Sequence, residues 1–203
     1  MENQPRRRRR TREEAKAETR QALLDAAAEV FAQQGFHGAS IDTVAEAAGY
    51  TKGAVYAHFR SKEDLYLELL NQHLRGDPPP WGQAIESGAP LTEIAISLRE
   101  QLPAALEESR EWGVLTVEFL LHAMRNEQIR PRLAELIRFG RDDYARSVRA
   151  RAEATGVQPP VDPDQLGLIL MALDNGLSML GLIDPEAVSA EAYSAVLRRL
   201  LEP

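Results

Sequence analysis

The sequence predicts an all-α protein. Apolar residues recur at three- and four-residue spacing along almost the whole chain, and no stretch alternates with the period of two that a half-buried strand requires. Helix caps and glycine or proline breaks punctuate that pattern at short intervals. With 203 residues, 44% of them apolar, the chain can bury one generous core or two smaller ones.

The elements follow in order. Thr11 and Glu14 have the spacing of a capping box, which would start the first helix near Arg12; Thr19 is a second candidate start. Leu23, Ala27, Val30 and Phe31 form its apolar stripe, and Gly35 supplies a stop. Ser40 caps a short helix over Ile41 to Ala48, ended by Gly49. Thr51 caps another from Lys52 to about His58. Ser61 with Asp64 opens a fourth, through about Leu74. Gly76-Asp77-Pro78-Pro79-Pro80 then breaks helix propagation, and the spacing predicts a loop as far as Pro90. Beyond it, helices are predicted at about 91–108, 110–126, 128–155, 163–183 and 186–201. A domain boundary is expected near residue 76.

Charge is distributed unevenly. The formal net charge is −7, yet residues 1–75 hold 12 basic against 11 acidic side chains, and residues 76–203 hold 12 against 20. Arg6, Arg7, Arg8, Arg9 and Arg10 form an unbroken basic run. DNA binding depends on the local charge that faces the phosphates, so an acidic remainder does not exclude it. The chain has no cysteine, which removes disulfides, thiolate metal sites and cysteine nucleophiles together. The basic run leads into Thr11-Arg12-Glu13-Glu14 rather than an apolar stretch, so no secretory leader is expected. Leu166 to Ile183 has the length of a membrane span, but Asp174, Asn175 and Ser178 lie near its middle. A charge at mid-bilayer is costly, so a buried helix and a cytoplasmic protein are expected.

The segment 40–59, SIDTVAEAAGYTKGAVYAHF, carries the functional signal. Two helices of about two turns are joined at a glycine. Val44, Ala45 and Ala48 can pack against Val55 and Phe59, while the Val30 and Phe31 stripe completes a core that two such short helices lack alone. That is the physical logic of a helix-turn-helix, in which the second helix keeps one face free. Tyr50, Thr51, Lys52, Tyr56 and His58 offer donors or acceptors on that face. Gly53 and Ala54 add little bulk, which lets the helix enter a major groove about 12 Å wide. Ser40, Thr43 and Lys62 are placed to reach phosphate.

Residues from about 20 to 70 resemble the DNA-binding domain of the tetracycline-repressor (TetR) family. The matching marks are Phe31, Gly35-Phe36, Ser40, Val44-Ala45, Ala48-Gly49, Lys52-Gly53, Val55-Tyr56, His58-Phe59 and Ser61-Lys62, all in register. The resemblance implies backbone contacts from Lys52, Tyr56 and Lys62, with Thr43 and Ser40 nearby. It places Tyr50, Thr51, Ala54 and His58 toward the groove; Tyr50 stands where many members carry a small aliphatic residue. The implied organisation is a basic arm over 1–18, a helix-turn-helix DNA-binding domain over 19–75, and a larger helical domain over 76–203 for effector binding and dimerisation. Arg6 to Arg10 would serve as a DNA-binding arm by analogy with basic arms on other DNA readers.

Leu166, Ile169, Leu170, Leu173, Leu177, Leu180 and Ile183 make one helix apolar on most sides, so it must be covered on more than one face. The resemblance implies that this helix and the last, with Val196 and Leu200, pair with a twin subunit. A palindromic double-stranded DNA site would follow from that symmetry. Trp112, Glu118, Phe119, His122, Arg125, Tyr144 and Asp174 are polar or aromatic groups among apolar ones, the makings of a small-molecule effector site. The resulting expectation is a repressor released by a ligand, with a ligand-independent regulator or activator as the alternative. A helical enzyme or a protein-interaction module is more remote. The four histidines have no metal-ligand spacing, and neither a phosphate-binding glycine loop nor a G-x-S-x-G elbow occurs, so no cofactor, metal or catalytic residue is expected. Glu118 and His122, four apart, are the best catalytic pair available, and a structural pairing accounts for them.

Overall fold

A computed structural model of the protein describes residues 11–76, 80–108 and 110–201. Ten α-helices and one short 3₁₀ turn make up these residues, and no strand occurs among them. In chain order the helices are α1 (Arg12–Gly38), α2 (Ile41–Ala47), α3 (Lys52–His58), α4 (Lys62–Leu74) and α5 (Pro80–Glu86). Then come α6 (Leu91–Glu108), α7 (Arg110–Arg125), α8 (Arg130–Thr155), α9 (Pro163–Ile183) and α10 (Ala190–Leu201). The chain divides into two compact units between Leu69 and Leu70, inside α4, rather than at the proline run. The residues Arg6 to Arg10 lie outside the described residues.

Of the two candidate starts for α1, Thr11 is the one used. Its hydroxyl accepts from the Glu14 amide and the Glu14 carboxylate accepts from the Thr11 amide, a complete capping box. Gly35 interrupts the helix with φ +68° and ψ 172°, a conformation that only glycine adopts without strain. A final turn then carries Phe36 back inward. Phe31, Phe36 and Tyr66 meet with ring centroids 5.7–6.0 Å apart, and edge-to-face pairs of this kind add to the burial term. Around them Leu23, Leu24, Ala27, Val44, Val55, Phe59 and Leu65 are buried. This is the core of the N-terminal unit.

The loop expected as far as Pro90 contains a helix, α5. Pro80 did not prevent it, because the first helical position has no intrahelical partner for its amide and favours proline's fixed φ. Gly88, at φ +75°, closes the helix: its amide donates to Ile85, and Ala89 donates back to Ala84. A Cβ on Gly88 would lie 2.8 Å from that of Ala154, so α5 ends pressed against α8.

The core of the C-terminal unit joins α6, α8, α9 and α10 through Leu91, Ile94, Leu98, Val148, Leu166, Leu170, Tyr193, Leu197 and Leu201. Helices α8 and α9 approach so closely at Gly167 that a Cβ there would stand 2.7 Å from the Arg141 carbonyl oxygen. The last helix starts at Ala190 rather than 186. Asp184 caps a 3₁₀ turn over Pro185–Ala187, and the Ser189 hydroxyl accepts from the Ala192 amide to restart the chain as α10.

Candidate nucleic-acid interface

Local chemistry builds the α2–α3 pair. The Ser40 hydroxyl accepts from the Thr43 amide at 3.1 Å, and the two hydroxyls lie 2.7 Å apart. At the other end of α2, Gly49 turns left-handed at φ +71°. There the Gly49 amide donates to Glu46 and the Tyr50 amide to Ala45, which satisfies two carbonyls that the helix end would otherwise orphan. Two residues later the Thr51 hydroxyl accepts from the Ala54 amide and starts α3.

One face of α3 points inward and the rest outward. Val55 is fully buried, and Phe59, just past the end, is buried with it. Thr51, Lys52 and Gly53 are exposed, Ala54 and His58 half-buried. The rings of Tyr50 and Tyr56 are 40% and 50% exposed, unusual for side chains with this much apolar surface. Of the residues expected on the reading face, Tyr50, Thr51, Lys52, Gly53 and Tyr56 are thus exposed, with Ala54 and His58 half-buried, as are Ser40 and Thr43 at the start of α2.

The structure engages two of the expected cations. The Lys52 ammonium lies 2.8 Å from an Asp42 carboxylate oxygen across the turn, and that hydrogen bond raises the lysine pKa. The Lys62 ammonium donates to the carbonyls of Phe36 and Ala39 at 2.6 and 2.9 Å, and sits 4.6 Å from the Phe36 ring centroid. A cation at a helix C-terminus is stabilised by the exposed carbonyls; burial lowers its pKa. Lys62 thus has a task inside the unit, fastening α4 to the end of α1, beside any role toward phosphate. His58 has its pKa lowered by burial, then by Lys16 and Arg20, so it is neutral near pH 7. Sequence reasoning missed Asp42, because its partner lies ten residues away across a turn. It also missed Lys16 and Arg20, whose four-residue spacing on α1 was the available signal.

The residues expected to bind an effector separate into several places. Tyr144 on α8 and Tyr193 on α10 donate to the two carboxylate oxygens of Asp174 on α9, at 2.7 and 3.1 Å. Burial and then the Asp174 charge push both phenols well above their usual pKa. Phe119 is in the core, and Trp112 stacks on His73 at 4.5 Å between centroids. Glu118 is half-buried on the same helix. His122 and Arg125 line an open depression with Asn126, Glu127 and Gln128. A more enclosed cavity of about 110 Å³ is lined by other residues, among them Leu102, Pro103, Leu106 and Gly181; small-molecule sites typically reach about 300–1,000 Å³. Among the described residues, no group of three or more His, Asp or Glu is placed to hold a metal ion.

The residues expected to pair two subunits also divide. Leu166 and Leu170 are buried within the unit, and Leu173, Leu177 and Leu200 pack against its core. Ile169, Leu180 and Val196 are exposed, as is Ile183 at the end of the same apolar helix, together with Leu168 and Met179, which the sequence reading did not single out.

Comparison with known proteins places these features. Residues 23–69 match the family model of bacterial regulatory proteins, tetR family, and residues 93–203 match that of the BetI-type transcriptional repressor, C-terminal. The transcriptional regulator RutR of Escherichia coli is 30% identical over 162 residues, 79% of this chain and 74% of that protein. The transcriptional regulator AcrR of Shigella flexneri is 38% identical over 116 residues, 56% of this chain and 53% of that protein. The chain thus spans about half the length of that second relative. A crystal structure described as a putative TetR-family regulator from Rhodococcus sp. superposes with a TM-score of 0.68 at 24% identity, covering 92% of this chain and all of that one.

Proposed function

Because the chain belongs to the tetR family of bacterial regulatory proteins, we propose that it is a cytoplasmic repressor that reads a palindromic operator as a homodimer. A small organic ligand bound in the C-terminal unit releases it. The observation that carries the reading is α3: one buried anchor, Val55, and an outer face on which Tyr50, Thr51, Lys52 and Tyr56 meet solvent. A helix of that width, with glycine and alanine among its outward residues, fits a major groove. Ser40, Thr43 and Lys62 flank it toward the phosphates, and the Arg6 to Arg10 run, which lies outside the described residues, would serve as a DNA-binding arm.

The dimer rests on α9. By length and composition this helix could cross a membrane, but two tyrosines of neighbouring helices hold its central carboxylate, and Leu166 and Leu170 seat it in the core. Its other face leaves Leu168, Ile169, Met179, Leu180 and Ile183 exposed at helical spacing, and Val196 of α10 adds to them. An exposed apolar stripe of this kind fits a two-fold partner better than water.

The experiment is selection of duplexes from a random library by the purified full chain, followed by binding titrations at several salt concentrations. A two-fold symmetric consensus is expected; Lys52→Ala should flatten the log–log salt slope by about 0.9 if one phosphate contact is lost, whereas Tyr56→Ala should weaken binding and leave the slope unchanged, because a phenol neutralises no phosphate. Failure to enrich any sequence would remove the DNA-binding reading. A promoter reporter then decides between repression and activation.

A further inference from the structure

We propose that Asp42 is an internal competitor for the DNA phosphate at Lys52, a residue that lowers the chain's affinity for DNA. This rests on the reading of α3 as the DNA-contacting helix.

On α2 and α3 the ionisable side chains are Asp42, Glu46, Lys52, Tyr56 and His58. In formal charge these two helices carry one positive side chain, Lys52, against two negative ones, Asp42 and Glu46. That one cation is already engaged. Lys52 opens α3, Asp42 lies in the first turn of α2, and their 2.8 Å ion pair bridges the two helices across the Gly49 turn. Both side chains are more than half exposed, so the pair is solvent-screened and weak enough for another anion to displace.

A phosphate that takes Lys52 leaves the carboxylate beside it, unpaired and of like charge. Each general encounter with DNA therefore gains less than a free lysine would give. The operator and any other duplex present the same phosphate, so this cost applies to both. Sequence-independent affinity comes almost wholly from phosphate contacts, so the cost is read most directly on a duplex that offers no base contacts.

The test compares the wild-type chain with Asp42→Asn, using a duplex enriched by the wild-type chain and a scrambled duplex of equal length and composition. Asp42→Ser serves as a second variant, and thermal melts establish that each is folded. Asp42→Asn should bind the scrambled duplex roughly three- to tenfold more tightly at low salt, with a slope steeper by up to about 0.9. A gain of similar size is expected on the enriched duplex, which offers Lys52 the same phosphate. In a Lys52→Ala background that gain should shrink by at least half. Unchanged or weaker binding to scrambled DNA by both variants overturns the proposal. So does a gain that persists in full without Lys52, since the carboxylate would then act on phosphates directly. If the wild-type chain enriches no duplex, the DNA-binding reading and this inference fall together; enrichment with unaltered behaviour of the variants removes this inference alone.

Discussion

The two units distribute polarity in opposite ways. In the N-terminal unit the interior is apolar and aromatic, built on Phe31, Phe36, Phe59 and Tyr66, and polar side chains work at the helix ends, as Thr11, Ser40 and Thr51 do. The C-terminal unit holds a carboxylate between two tyrosines inside and leaves an apolar stripe of α9 outside. A unit of the first kind is complete within one chain. In the second, the buried hydrogen bonds fix how α8, α9 and α10 stack, and the exposed stripe is the face we assign to a second copy. The difference separates what folds the protein from what is proposed to assemble it.

That contrast can be broken at its most consequential point by placing charge on the stripe. The double substitution Ile169→Glu and Leu180→Glu should turn dimers into monomers, weakening association by at least a hundredfold, because burying an unpaired carboxylate costs several kcal/mol. Sedimentation analysis would reveal it, and the helical content of the monomer should be unchanged. Persistence of the dimer would move the interface elsewhere.

Next in size is Phe59→Ala, which removes a ring from the N-terminal core and should cost about 3–5 kcal/mol. The loss should register as early melting of the N-terminal unit. A smaller effect is expected for Tyr144→Phe. One hydrogen bond to the Asp174 carboxylate is lost, worth about 1.5–3 kcal/mol, read from denaturant unfolding of the C-terminal unit. If Tyr144→Phe proves neutral, the polar cluster contributes no stability, and the comparison between the units loses one of its two terms. The smallest is Thr51→Ala, about 0.5–2 kcal/mol for a lost N-cap, with a larger relative effect on DNA affinity than on the melting temperature.

Legibility in the sequence followed the range of the interaction. Caps at Thr11, Ser40 and Thr51 and the left-handed Gly49 depend on neighbours within a few positions, and they were readable. Helix α5 was not, because a proline run reads as a stop although its last proline is a favourable first residue. On α9 the sequence revealed a helix apolar on most sides but could not divide Leu166 from Leu168. Which leucine faces inward depends on where α8 and α10 lie. The Asp42–Lys52 pair, the carbonyls around Lys62 and the Asp174 cluster join residues across turns or between helices, and no local spacing announces them. Resemblance to a family pointed to α3 as the candidate reading helix, but it said nothing of what occupies Lys52.

One buried valine holds α3 in place, and that has an evolutionary consequence. Tyr50, Gly53, Ala54 and Tyr56 are not among the fully buried side chains, so each can be exchanged with little penalty to the melting temperature. A lineage can retarget its regulator by point changes along that outer surface while Val55 and Phe59 keep the scaffold folded. New regulatory wiring then needs few compensating mutations, and it arises at the positions where the protein has least to lose.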